Sequence, residues 1–199
     1  MRFLFAITSL AAVLSLGGCA AGAVSAVGSV ASSVLQMSGL TKPDIPDAQK
    51  PPRTIAIKLH AGSNLNTDSD GKPLALVTRV YKLRQDGAFL QATYDTFTNP
   101  QKEKDVLGAD LIEVKEVTLV PGQHYEISEK VTREAGFVGV VALFRKPAAQ
   151  RWKATFPTEP AEKSGIIVGA NACALTVGAG VAVSSDNGSN KYSAPTACQ

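Results

Sequence analysis

Cysteine, histidine and carboxylate are the side chains whose placement bears on chemistry in this sequence, and one placement is specific. Leu16-Gly17-Gly18-Cys19 sets a thiol after two small residues, at the end of an apolar run (residues 3–16) that follows Met1-Arg2. A short positive segment, an apolar stretch of this length and small residues before a cleavage point form the order of a secretory signal. The small pair lets a peptidase reach the backbone, and the Cys19 thiol is the group that receives a lipid. The apolar run is too short for a membrane-spanning helix. The motif therefore predicts a lipobox, a signal peptide over residues 1–18 and acylation at Cys19. Ala20 stands where an aspartate would favour inner-membrane retention in enteric-type sorting. The expected destination is the outer membrane, with the protein lipid-anchored on its periplasmic face.

The other chemical groups form no catalytic set. His60 and His124 are the two histidines, and neither sits in a His-Glu-x-x-His helix motif. The sequence holds no Gly-x-Ser-x-Gly elbow and no glycine-rich loop ending in Lys-Ser or Lys-Thr. Asn66, Asp68, Asp70 and Gly71 match positions one, three, five and six of a calcium loop, but the bidentate glutamate at position twelve falls on Val77. The cage is incomplete, and Asp70-Gly71 reads as a turn. No metal, no cofactor and no enzymatic activity are expected. With Cys19 acylated, Cys173 and Cys198 are two thiols in an oxidising compartment. They are predicted to form a disulfide closing a loop of about 26 residues, a contribution of roughly 3 to 4 kcal/mol in the chain-entropy model.

Composition is that of a globular protein: 199 residues, 45% hydrophobic and 19% charged. Formal charge is +3, and the basic residues are dispersed with no block of five. That is no electrostatic footprint for nucleic acid. Length after the signal suits one domain.

The elements that must position these groups begin with a tether. Residues 19–52 are expected to be the lipidated N-terminus and a flexible link. Residues 20–40 carry no charge and are rich in Ala, Gly, Ser and Val; Val24, Val27, Val30 and Val34 at helical spacing leave a weak helix open. Pro43, Pro46, Pro51 and Pro52 stiffen the approach to the domain. From Arg53 the period changes to two: Ile55, Ile57 and Leu59 mark a first strand, and residues 74–83 a second. Between them lies the polar loop HAGSNLNTDSDGKP. Residues 87–108 lose the alternation and read as a helical insert, interrupted at Asn99-Pro100 and ended at Gly108, with Tyr81, Phe89, Tyr94 and Phe97 fastening it to the sheet. Strands resume at Leu111. A parity switch near Lys115-Glu116 predicts a bulge. Pro121-Gly122 is a turn, residues 125–131 a fourth strand, and the run FVGVVALF (137–144) a strand buried on both faces. Residues 164–185 lack charge but alternate strictly from Cys173 and contain four glycines, which argues strand rather than membrane helix. About eight strands and one insert predict an all-β, two-sheet antiparallel β-sandwich over residues 53–199.

Arg79-Val80-Tyr81-Lys82-Leu83, then Phe89, Ala92 and Tyr94, then Leu107-Gly108-Ala109-Asp110-Leu111 resemble the outer-membrane lipoprotein of the type VI secretion system, the TssJ family. Leu119-Val120-Pro121-Gly122, the run from Val138 to Arg145, and Trp152 continue the likeness in order. The resemblance implies a transthyretin-like sandwich with an added helical element and no enzymatic activity. It also implies binding to the periplasmic domain of the inner-membrane protein TssM, anchoring the secretion membrane complex to the outer membrane. The family's first inter-strand loop, implicated in that contact, corresponds to residues 60–74. Its length exceeds what a hairpin needs, and loops on a rigid scaffold commonly carry recognition. Asn64, Leu65, Asn66, Asp68 and Asp70 are the expected contact residues, one apolar group among partners for hydrogen bonds and for a basic patch. Because the loop is expected to hold little core, replacing residues 63–70 with a short link should leave the sandwich folded. The alternative reading is a lipid-anchored periplasmic carrier or inhibitor, which needs a deep apolar pocket. An enzyme with a site invisible in sequence would instead need a cleft with a perturbed titratable pair.

Overall fold

The computed structural model describes residues 46, 49–183 and 198. The expected signal peptide, Cys19 and nearly all of the expected tether lie outside the described residues. Eight strands form two four-stranded sheets: β1 Arg53–Ala61, β2 Leu76–Leu83, β3 Leu111–Leu119, β4 His124–Val131, β5 Phe137–Ala142, β6 Lys153–Pro157, β7 Ile166–Asn171 and β8 Ala174–Ala179. One sheet has the order β4-β1-β7-β8 and the other β3-β2-β5-β6. Every pairing is antiparallel except β1 with β7, which runs parallel from Ile57↔Ile166 to Ala61↔Ala170. The chain is an all-β sandwich with few short helices.

Period two decides which side chains enter the space between the sheets. Ile55, Ile57, Leu59 and Ala61 of β1 are buried while Thr54 and Ala56 are exposed. Leu76, Val80, Val138, Val140, Phe156, Ile166 and Val168 complete this core from both sheets. Apolar burial of this kind contributes about 25 cal/mol per Å² removed from water.

A second apolar layer covers the outer face of the β2-containing sheet. It is built by α1 Gly87–Gln91, α2 Tyr94–Thr98 and α3 Pro100–Leu107. Asn99 caps α3, its side chain accepting from the amides of Gln101 (3.0 Å) and Lys102 (3.2 Å), with Pro100 at the first helical position. Tyr81, Phe89 and Phe97 meet edge to face at centroid distances of 5.3 to 5.7 Å. Gly139 is required beneath them, because a Cβ there would stand 2.8 Å from the Phe89 ring. From β6, Lys153 reaches up under the insert and donates to the carbonyls of Phe89, Leu90 and Ala92 at 2.7, 2.8 and 2.6 Å.

The structure departs from the sequence-based expectations in three places. The register shift in the β2–β3 pair lies between Lys82 and Leu83, opposite Ile112, and not at Lys115-Glu116. The apolar parity switches because Val114 sits on the outer face opposite Tyr81 while Val117 and Leu119 point inward. Residues 164–185 hold two strands rather than one, β7 and β8, joined by a turn at Ala172, whose φ is 43°. A further helix, α4 Thr158–Ser164, bridges β6 to β7. No helix among the described residues is long and apolar enough to cross a membrane.

Candidate partner-binding end of the sandwich

The topology sorts the connections by end. The β1–β2 loop (62–75), the β3–β4 turn (120–123), the β5–β6 loop (143–152) and the β7–β8 turn gather together. Gly122 N–H donates to Gly62 O, Arg145 N–H to Asn66 Oδ1, and Ala148 N–H to Cys173 O. The chain enters at the opposite end, at Arg53, beside Glu162 of α4. A nine-residue strand separates the two ends by about 30 Å.

Within the first loop the five expected contact residues divide. Leu65 is wholly buried in the main core. Asn66 is buried too, in the left-handed region at φ 47°, donating from Nδ2 to Ala75 O (2.8 Å) and accepting from Arg145 N–H (2.8 Å). The expectation that both contact a partner is therefore corrected: Leu65 plugs the end of the sandwich and Asn66 staples two loops. Excising residues 63–70 would open the core, contrary to the expectation that the loop holds little of it. Asp68 accepts from the amides of Asp70 (3.0 Å) and Lys72 (2.9 Å) and shapes the loop's tip. Asn64 and Asp70 are exposed. Gly62 lies close under two side chains: a Cβ there would stand 2.3 Å from Asn171 Oδ1 and 2.9 Å from Asn64 Oδ1, so both asparagines would have to shift.

The β5–β6 loop was not expected to share this surface, although alternate connections of a meander return to the same end. Its Arg145 and Lys146 are exposed. Gln150 has φ 60°, and with Asn66 and Ala172 it completes the non-glycine residues of positive φ among those described. All three lie at this end. Such conformations cost on the order of 1 kcal/mol or more each and persist where surrounding bonds over-determine them. Cys173 is bonded to Cys198, with Cα atoms 5.7 Å apart, and fixes the chain's last described residue here. On the outer face of the β1 sheet nearby, His60 and His124 stack with ring centroids 4.5 Å apart.

Chemically, this end offers hydrogen-bonding groups, charges and a fixed backbone. Among the described residues no group of three or more His, Cys, Asp or Glu is placed to hold a metal ion. The most perturbed titratable group is elsewhere: burial, then the charge of Glu103, pushes the Tyr81 phenol far above its ordinary range. It lies beneath the insert beside the Arg79–Glu103 ion pair (2.7 Å) and reads as packing.

Comparison with known proteins places this architecture. No curated protein matches the chain. Among solved structures, the chain is similar to the type VI secretion lipoprotein TssJ1 from Pseudomonas aeruginosa, at 31% identity and TM-score 0.59, covering 65% of this chain and 97% of that one. A chain of a type VI membrane complex matches at 25% identity and TM-score 0.58, covering 63% and 98%. A chain of the structure described as the T6SS protein TssM C-terminal domain (869–1107) from EAEC matches at 25% identity and TM-score 0.52, covering 63% and 97%. Residues 53–173, from the first strand to the disulfide at the loop end, match the model of the type VI secretion lipoprotein family that includes VasD, EvfM and TssJ, and the chain belongs to that family.

Proposed function

We propose that this lipoprotein is held in the outer membrane by lipid on Cys19, faces the periplasm, and binds TssM with the loop end of its sandwich, anchoring the type VI secretion membrane complex without enzymatic activity. The observation that carries this reading is the placement of the first loop about 30 Å from Arg53, where the chain enters. That end is clear of the tether's point of entry, so a partner can reach it. Family membership and the likeness to chains of a type VI membrane complex and of a TssM structure support the choice of partner. The carrier reading finds less support. The groove of about 390 Å³ between α3 and β3 is open and lined by charged Arg79, Glu103, Lys104 and Glu116 as well as Leu111 and Val114.

Asn64→Arg combined with Asp70→Arg tests the partner. Both positions are exposed and neither holds core, so the variant folds. It is expected to weaken binding to a TssM C-terminal domain by more than tenfold, over about 1.4 kcal/mol. Calorimetry at fixed salt checks this, and an unchanged dissociation constant would move the interface off the first loop. Anchoring is tested separately. Cys19→Ser is expected to release the protein or leave its precursor unprocessed, because the acyl chains supply the membrane affinity. Processed protein still fractionating with the outer membrane would refute acylation at Cys19.

A further inference from the structure

The loop end carries unequal charge, and the β5–β6 loop is the reason. Elsewhere on the domain Lys58 is paired with Glu126, Arg84 with Glu134 and Lys102 with Asp95, while Lys72, Lys104, Lys130 and Lys163 are exposed with no ion pair among the described residues, each without a second such cation beside it in sequence. Arg145 and Lys146 are exposed, and among the described residues no ion pair holds either. The nearest acidic groups in sequence on the neighbouring loop are Asp68, whose carboxylate is turned onto the amides of Asp70 and Lys72, and Asp70. The two cations also sit on fixed backbone. The Arg145 amide is bonded to Asn66, a buried side chain of the first loop, and the loop's far limb is bonded at Ala148 to Cys173 and at Arg151 to Leu175. A pair of unneutralised charges on a rigid loop costs little ordering entropy when an opposite charge arrives.

We propose that Arg145 and Lys146 form a second contact beside the first loop and receive an acidic segment of the protein partner. The inference rests on the partner-binding reading above and adds the sign of the surface recognised. The patch adjoins the first loop, the surface proposed above to meet a protein partner, which favours a protein over a lipid surface. Charges at the rim of an interface act chiefly by steering the encounter, so the effect falls on association rate and on its dependence on salt.

The test uses the full chain reconstituted into vesicles of neutral lipid, with a TssM C-terminal domain in solution. Arg145→Glu with Lys146→Glu is expected to slow association by about tenfold and to flatten the fall of the rate with added salt. Its thermal midpoint should match the parent, and Arg145→Lys with Lys146→Arg should restore the rate. A reversed-charge variant that associates as fast as a binding parent overturns this inference alone. A parent chain that does not bind overturns both the inference and the partner proposed above. A third result would also overturn it: reversal that spares partner binding but abolishes clustering with anionic phosphatidylglycerol vesicles assigns the patch to lipid.

Discussion

Lys153→Met is expected to lower the stability of the sandwich by about 3 kcal/mol. Methionine keeps the apolar stem and nearly the volume of lysine but removes the ammonium. That ammonium lies within 2.8 Å of three carbonyls, those of Phe89, Leu90 and Ala92, and 4.9 Å from the centre of the Trp152 ring. The last carbonyls of a helix have no partners within it, and α1 is only five residues long, so most of its end depends on this one side chain. Hydrogen bonds to a charged group contribute about 1.5 to 3 kcal/mol each and do not add fully, while the residue is only 6% exposed, so water replaces them poorly. Urea unfolding followed by Trp152 fluorescence reads the effect directly, since Trp152 packs on Tyr94 and Phe97 of the insert. A shift of the midpoint smaller than that of an ordinary surface substitution would show that the insert is held by its aromatic layer alone.

Glu129→Gln should cost about 3 kcal/mol at neutral pH and remove part of the protein's sensitivity to acid. Glu129 of β4 and Lys82 of β2 point into the sandwich from opposite sheets and meet at 3.1 Å, both nearly buried. Lys115 binds the same carboxylate at 2.9 Å, and Glu113 binds Lys82 at 2.8 Å. Burial pushes the Glu129 carboxyl up, but the hydrogen bonds from Lys115 and Lys82 outweigh it and hold the group below its usual range. Its contribution is therefore present above the unfolded value of about 4.3 and is lost as pH falls through the lower folded one. Lys82 behaves oppositely. Burial lowers it, its bonds to Glu113 and Glu129 raise it further, and its contribution is lost only as pH rises through a value above the ordinary lysine range. Stability measured against pH should drop on the acid side less steeply in the variant than in the parent. Parallel curves would mean that other carboxylates govern acid unfolding.

These two clusters mark the boundary of what the sequence discloses. Where one periodicity held, as in Ile55, Ile57 and Leu59 or in the run from Phe137, strand and burial followed from alternation and apolarity. The β2-containing sheet obscured its own pattern because both of its faces are covered. Val114 and Val117 lie on opposite parities for that reason, and the bulge was placed three residues late. A turn at Ala172 gave no signal, since alanine seldom adopts a positive φ and nothing local asks for it. At the candidate site, loop length was legible but depth was not. Leu65 is a single apolar residue among polar ones, and only the open mouth of the sandwich explains why it is buried. Nothing in the sequence singles out Lys82, Glu129 or Lys153, because their partners come from elements distant in sequence.

The parallel pairing of β1 with β7 bears on how the domain carries load. A pull between the point of entry at Arg53 and the loop after Ala61 acts along the axis of β1 itself. That strand lies inside its sheet, with β4 bonded along one side from Arg53 to His60 and β7 along the other from Ile57 to Ala61. The covalent backbone of β1 carries that pull, and any share entering through the β3–β4 or β7–β8 turn at the same end loads those two rows of hydrogen bonds in shear, so many must fail together, whereas a strand peeled from an edge releases them one pair at a time. The strand that follows the anchor is thus a tension member clamped from both flanks, and the sandwich transmits pull between its two ends without unzipping.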